Sequence, residues 1–406
     1  MFSTRIPAGF SPNRLTEALR RHRAAGRPLI DLTESNPTRA GLDYPDDLLR
    51  PLADTRGLVY TPQPLGLVEA RCAVARDYAR RGAAVDPGRI ALTASTSEAY
   101  SLLFKLLASP GDEILVPRPS YPLFEHLTAF EGLTPRGYDL EYHGSWSIEM
   151  GSVERAVGPR ARAILIVSPN NPTGSFVSAD ELDRLTGICA ERGMALIADE
   201  VFADYSFGSA EASRYNPDEC RPGPFGPGNA LVFALGGLSK SVGLPQLKLG
   251  WMAVGGPDRI VSEAMQRLEL ICDTYLSVST PVQLAAAELL ERGAAIREQI
   301  RARVSGNYGR LNELVAEVPS CRVLLASGGW YGVVQVPAVR SEEDLVVDVL
   351  NQDGVLVHPG YFFDFPRESF LILSLLPPEE VFVEGVRRLL SRCGTLIAPG
   401  SAIRHE

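Results

Sequence analysis

The sequence predicts an α/β protein built on a mostly parallel sheet, and three observations carry that expectation. Short apolar runs rich in β-formers alternate with stretches of helical periodicity. The runs are apolar throughout rather than alternating, as strands buried on both faces are. Each run also stops at turn formers or an isolated polar group, where open α/β sheets bind their ligands.

The elements follow in order. "RIALTAS" (89–95) reads as a strand and "TSEAYSLLFKLLAS" (96–109) as the helix after it. "DEILVP" (112–117) and "ARAILIV" (161–167) are strands, then "SADELDRLTGICAERG" (178–193) is a helix and "MALIADE" (194–200) a strand. "ALVFAL" (230–235) and "LKLGWMAVGG" (247–256) continue the series. "SVSTPVQLAAAELL" (277–290) begins a helix connecting the two parts of the chain.

The bounds agree. A chain of 406 residues implies two domains, or three, with ample core. With 45% apolar and 22% charged residues the composition is that of a globular protein. A net charge of −9 argues against nucleic acid as the main partner. The densest basic run, "RRHRAAGR" (20–27), reads as the solvated face of an early helix. The N-terminal "MFSTRIPAGF" lacks a signal-peptide core, and no apolar run approaches the ~18 residues of a membrane span. Cys72, Cys189, Cys220, Cys272, Cys321 and Cys393 are scattered with no metal-ligand spacing. They read as reduced thiols, and the expected location is cytoplasmic. "RPGPFGPGN" (221–229) reads as an excursion loop.

The strand ends carry the chemistry. Ser95, Thr96 and Ser97 open a helix, where free N–H groups, hydroxyls and the dipole suit a phosphate; alone they are equally an N-cap with spare serines. Tyr121 sits in the proline-stiffened "PRPSYP" (117–122) as an aromatic plate, or as core. "SPNNPTG" (168–174) ends its strand with Asn171 among turn formers of several kinds. Asp199 and Glu200 end a buried strand, where a carboxylate needs a positive partner. Lys240 follows a strand through two glycines, and by itself is a surface lysine. Together the set is far more specific. Phosphate cradle, aromatic plate, amide, carboxylate and lysine are what pyridoxal 5'-phosphate requires: a Schiff-base lysine, an acid holding the pyridine nitrogen protonated, an amide on the 3'-oxygen and a stacked ring.

On these residues, and on "DLTESNPT", "VYTPQPLGLVEAR", "ASPGDEILVPRPSYP", "ADEVFADY", "LSKSVGLPQLKLGW" and "GVLVHPGYFF" in the same order, the chain resembles the class I/II aminotransferases of fold type I over nearly its whole length. The resemblance implies a large domain with a mostly parallel seven-stranded sheet flanked by helices, and a smaller α+β domain. It divides the chain into an N-terminal arm and part of the small domain (1–45), a pyridoxal-phosphate domain (46–285) and the rest of the small domain (286–406). It makes Lys240 the Schiff-base lysine, Asp199 the pyridinium partner, Asn171 the 3'-oxygen donor and Tyr121 the stacking ring. Ser95, Thr96, Ser97, Ser239 and Lys248 fall on the phosphate side. Tyr60 matches a tyrosine that reaches the phosphate of the neighbouring subunit, which implies a homodimer. Ser35 falls on the substrate side.

Three departures stand out. Where the family has a phosphate-binding arginine, eight residues after the lysine, this chain has Lys248, which keeps the charge without the bidentate fork. Where the family has a tyrosine near the 3'-oxygen, Phe202 offers no hydroxyl. In the C-terminal strand "FLILSLL" (370–376), Ile372 stands where an arginine usually grips the substrate α-carboxylate. Arg367 in "FPRESF" is the nearest replacement cation, or a solvated loop arginine.

The implied reaction is transamination between a small-molecule amino donor and a keto acceptor, with an atypical substrate. The same site also supports elimination, cyclisation or oxidation, since fold and cofactor do not fix the outcome. A non-catalytic sensor built on the fold is the remote alternative. No metal, nucleic acid or membrane enters this reading.

Overall fold

The computed structural model describes residues 2–7, 9, 11–207 and 229–395. The strands in chain order are β1 (Ile30–Asp31), β2 (Ile90–Thr93), β3 (Glu113–Arg118), β4 (Thr134–Tyr142), β5 (Trp146–Ile148), β6 (Ala161–Val167) and β7 (Ala195–Asp199). They continue with β8 (Leu231–Gly237), β9 (Gly250–Gly255), β10 (Arg322–Leu324), β11 (Tyr331–Gln335), β12 (Val355–Leu356), β13 (His358–Pro359) and β14 (Phe370–Ser374).

The large sheet has the order β2-β9-β8-β7-β6-β3-β4-β5. β3, β4, β6, β7 and β8 run parallel, and β9 is antiparallel to both its neighbours. β2 therefore points the same way as β8, so β2, β3, β6, β7 and β8 all end on one edge. The central strands are buried along their length apart from Arg162 near the start of β6, as their apolar runs require. Seven strands match the expectation. The eighth, β5, is a three-residue antiparallel addition that turns back on β4 through Gly144, whose φ of 93° needs glycine. Tyr142 and Trp146 face each other across that hairpin, ring centroids 5.3 Å apart.

β10, β11, β14 and β13 form a separate four-stranded antiparallel sheet. β1 pairs in parallel with β12, which ties the N-terminal segment to the C-terminal part. The connecting helix is interrupted: Thr280–Arg292 and Ala294–Ala316 are two helices meeting at Gly293. A Cβ there would lie 2.5 Å from the Val242 side chain, so the close approach demands glycine.

The early basic helix runs Arg14–Ala24, with Arg20, Arg21 and Arg23 exposed. His22 is the buried member of that run, and its Nε2 meets the Pro28 carbonyl at 2.9 Å. The five described cysteines are unpaired. Cys220 and the loop 221–228 lie outside the described residues. Among the described residues no helix is long and apolar enough to cross a membrane.

Candidate active site

The turn after β6 divides its labour between two asparagines. Asn170 holds the loop: its Nδ2 donates to Pro119 O at 3.0 Å and Thr173 Oγ1 at 2.9 Å, and its Oδ1 accepts from Ser120 Oγ at 2.8 Å. Gly174, at φ 68°, docks on the far side, where its carbonyl accepts from Ser327 N (2.9 Å) and Gly328 N (3.0 Å). Asn171 performs none of this. Its side chain is buried and its Oδ1 has no partner. A buried amide normally finds partners, so this one is available to a ligand.

Asp199 ends the next strand and is buried. Its Oδ2 accepts from the Tyr100 hydroxyl at 2.6 Å and its Oδ1 from Val201 N at 3.1 Å. Burial pushes the carboxyl above the usual carboxylate range, against these two donors and the charge of Lys240. Burial, followed by the same carboxylate, raises the Tyr121 hydroxyl, which places Tyr121 in the electrostatic reach of Asp199.

Lys240 lies in the single helical turn Leu238–Ser241 that closes β8. Burial lowers its ammonium to about 8, with Asp199 opposing the shift. Its Nζ sits 4.7 Å from the Trp330 ring and 5.7 Å from the Phe202 ring, so aromatic faces meet the cation. The Tyr205 hydroxyl donates to the Lys240 carbonyl, and Arg297 Nε donates to the Ser241 carbonyl at 2.9 Å. These donors satisfy carbonyls that so short a helix leaves open. Arg297 is itself anchored by Asp77 at 3.4 Å and Asp204 at 3.5 Å.

Ser95 is the N-cap of the helix Thr96–Leu107, its Oγ accepting from Glu98 N at 3.1 Å. The N–H groups of Thr96 and Ser97 occupy the first turn, where helices leave donors open. Gly250 at the start of β9 pairs with both Thr93 and Gly237, so this loop lies beside the Lys240 turn. A Cβ on Gly250 would come within 3.0 Å of the Ser95 carbonyl carbon and Thr93 Oγ1. Ser239 is half-buried in the turn itself. Lys248 is exposed at φ 51°, a left-handed conformation that side chains adopt at a cost.

The face of β14 around Ile372 is largely apolar. Ile372 is fully buried in β14, paired with Val333 on one side and His358 on the other. Phe363, Phe365 and Phe370 join it in one cluster. Ser35 lies within hydrogen-bonding reach of the Tyr331 hydroxyl, which burial pushes up to about 12. Arg367 is exposed in the bend before β14, with no ion pair among the described residues. Tyr60 is exposed at 74%, in a row with Leu58 and Val59.

Sequence reasoning missed Tyr100, Tyr205, Trp330 and His358. Only Tyr100 left a signal, standing four residues after Thr96 on the same helical face.

The comparisons agree with this geometry. Residues 27–387 match the family model "Aminotransferase class I and II". The glutamate-pyruvate aminotransferase AlaA of Escherichia coli is 27% identical over 363 residues, 87% of each chain. The alanine aminotransferase of Mycobacterium bovis is 26% identical over 385 residues, covering 90% of this chain and 86% of that one. Among solved structures, an alanine aminotransferase from Pyrococcus furiosus superposes with a TM-score of 0.85 at 25% identity, over 96% of this chain and 99% of that one. A Thermus thermophilus aspartate aminotransferase shares the fold, with a TM-score of 0.81 at 24% identity over 98% of this chain and all of that one.

The family's cofactor is pyridoxal 5'-phosphate, and the residues fit it. A buried carboxylate lacking a close cation, a buried amide that makes no side-chain hydrogen bond among the described residues and so has its N–H donors free, and a partly buried lysine of lowered basicity converge on one sheet edge. With 27–387 matched and its chemistry gathered where these strands end, the chain belongs to the class I and II aminotransferases.

Proposed function

We propose that this enzyme transfers an amino group from a small amino donor to a keto acid through pyridoxal 5'-phosphate held at Lys240. The observation that carries it is the state of the lysines. The sequence has only three, at 105, 240 and 248. Lys105 is ion-paired with Glu131 and Lys248 is exposed, whereas Lys240 is partly buried with its ammonium lowered to about 8. An amine that sheds its proton near neutrality is suited to attack a carbonyl and then to act as a base.

Bound pyridoxal phosphate supplies an electron sink that makes the α-proton of an attached amine removable. Asp199 would hold a proton on the ring nitrogen, a cation that would offset the burial which raises its own pKa. The Asn171 amide N–H would donate to the 3'-oxygen, and Phe202 offers no second donor. Tyr121 covers the ring. Ser95, Thr96, Ser97, Ser239 and Lys248 would receive the phosphate, joined by Tyr60 from the second subunit of a homodimer. The exposure of Leu58, Val59 and Tyr60 supports that assembly. With the cofactor bound, Lys240 Nζ would be the base that takes the substrate α-proton and returns it.

The substrate departs from the family pattern at its carboxylate. A buried carboxylate facing Ile372 meets no guanidinium. The curated relatives are named for glutamate, pyruvate and alanine. On this reading those donors bind this chain weakly. Incubating the cofactor-loaded protein with a panel of amino acids and amines, plus pyruvate or 2-oxoglutarate, should yield a keto or carbonyl product paired with a new amino acid. Retention of cofactor with no amino transfer to any acceptor would contradict the proposal.

A further inference from the structure

The strand pairing that buries Ile372 also sets a second residue beside it. β13 runs antiparallel to β14 with His358 directly opposite Ile372, so the two side chains share one face. Val333 flanks Ile372 from β11, and Tyr331 with Ser374 forms the next pair on that face. This face adjoins the cofactor edge. Phe363 packs on His358 with centroids 5.8 Å apart and on Tyr331 at 6.2 Å. The Phe363 carbonyl accepts from Ser120 N at 3.0 Å, immediately before Tyr121. Ser120 in turn donates to Asn170, the neighbour of Asn171.

The other side chains on that wall are apolar, apart from Ser374, which is hydrogen-bonded, and the hydroxyl of Tyr331. Ser374 Oγ donates to Glu34 O at 2.6 Å, and Tyr331 is within reach of Ser35. His358 is partly buried, and among the described residues its ring nitrogens make no hydrogen bond. Its ring is held by Phe362 at 5.9 Å as well as by Phe363, so it is fixed in place with its polar edge unspent. Burial keeps the imidazole neutral, against the pull of Asp31, so one ring nitrogen carries an N–H to donate.

We infer that His358 receives the substrate carboxylate, replacing the guanidinium that Ile372 cannot supply. The inference rests on the proposed cofactor site and names the specificity residue within it. A single N–H donor in place of a two-pronged ionic grip makes a weaker and less directional anchor. That agrees with a preference for donors whose remaining bulk is apolar, matching Val333, Ile372 and Phe363.

Two probes that differ only in the carboxylate test this on the holoenzyme: 2-aminoisobutyrate, and tert-butylamine, in which a methyl group takes its place. Neither has an α-proton, so saturation of the cofactor absorbance change reads binding without turnover. Wild type should prefer 2-aminoisobutyrate. His358→Ala should weaken it roughly tenfold or more, the loss of a hydrogen bond to a charged group, and leave tert-butylamine within about twofold. His358→Gln, which keeps an N–H donor, should fall between, and Ile372→Arg in the His358→Ala background should restore the preference. Equal affinities of wild type for the two probes, or an unchanged ratio in His358→Ala, would overturn the inference. Equal weakening of both probes would also overturn it, because His358 would then support the cofactor site as a whole. Since Lys240 is tested separately by lysine mapping, these failures leave the cofactor reading standing.

Discussion

The Tyr100 hydroxyl donates to Asp199 Oδ2 at 2.6 Å, and both residues are buried. The helix capped by Ser95 thus also aims the carboxylate closing β7. With Val201 N on the other oxygen, the carboxylate cannot rotate away from the site. Tyr100→Phe keeps the ring contacts with Phe104 (6.0 Å) and Phe124 (5.5 Å) while removing the donor. A hydrogen bond to a charged group is worth about 1.5–3 kcal/mol, so pyridoxal phosphate affinity and turnover should each fall roughly tenfold or more. Titration of the apoprotein with the cofactor measures the first. Wild-type affinity and kcat in the variant would show that Asp199 needs no such support.

Gly250 sets the distance between the Ser95 loop, proposed to hold the phosphate, and the lysine turn. In Gly250→Ala the new Cβ must push Ser95 away from a 3.0 Å approach. Overpacking of this kind costs about 1–3 kcal/mol, and here it should also weaken the cofactor. Gly187→Ala is the control, since a Cβ at that exposed helical position meets nothing within 4 Å. Thermal melts with and without cofactor should separate the two. An equal response would place the phosphate elsewhere.

Phe202 lies 5.7 Å from Lys240 Nζ and carries no donor. A hydroxyl here would stabilise the deprotonated 3'-oxygen of the cofactor. In Phe202→Tyr the absorbance of bound pyridoxal phosphate should therefore titrate at lower pH than in wild type. Coincident or reversed midpoints would move the 3'-oxygen away from this side chain.

The apoprotein carries a pH signature of Lys240. Its folded-state value of about 8 lies below the ordinary 10.5, so between those limits the unfolded chain binds more protons than the folded one. Stability therefore rises with pH through that window on this group's account, and below it the full destabilisation persists. Apo Lys240→Met should melt above wild type at pH 7, and the gap should close as pH climbs from 8 towards 10.5. A gap independent of pH would mean that Lys240 is not a depressed base.

Much of this site was legible before any coordinates. Five strand ends announce themselves because each breaks an apolar run with a residue the sheet itself does not need. Asn171 could be singled out, but the role of Asn170 as the loop's clasp could not, since Pro119 and Ser120 lie some fifty residues away in the chain. Tyr100 shares a helical face with Thr96, yet a tyrosine on an apolar face reads as core until Asp199 is placed against it. Ile372 stood out as a departure from a pattern. His358 did not, because its position opposite Ile372 depends on the register of two strands separated by a ten-residue excursion. The break at Gly293 is set by Val242, far away in sequence, so one long helix was the natural expectation.

The central claim is that Lys240 carries the cofactor, and the sequence makes it unusually clean to test. With lysine at only three positions, borohydride reduction of the cofactor-loaded protein followed by peptide mapping has three possible addresses. The adduct should fall on the peptide containing Lys240 and vanish, with the yellow colour, in Lys240→Ala. A stable adduct on Lys105 or Lys248 in the wild type, or one that survives that substitution, would contradict the account.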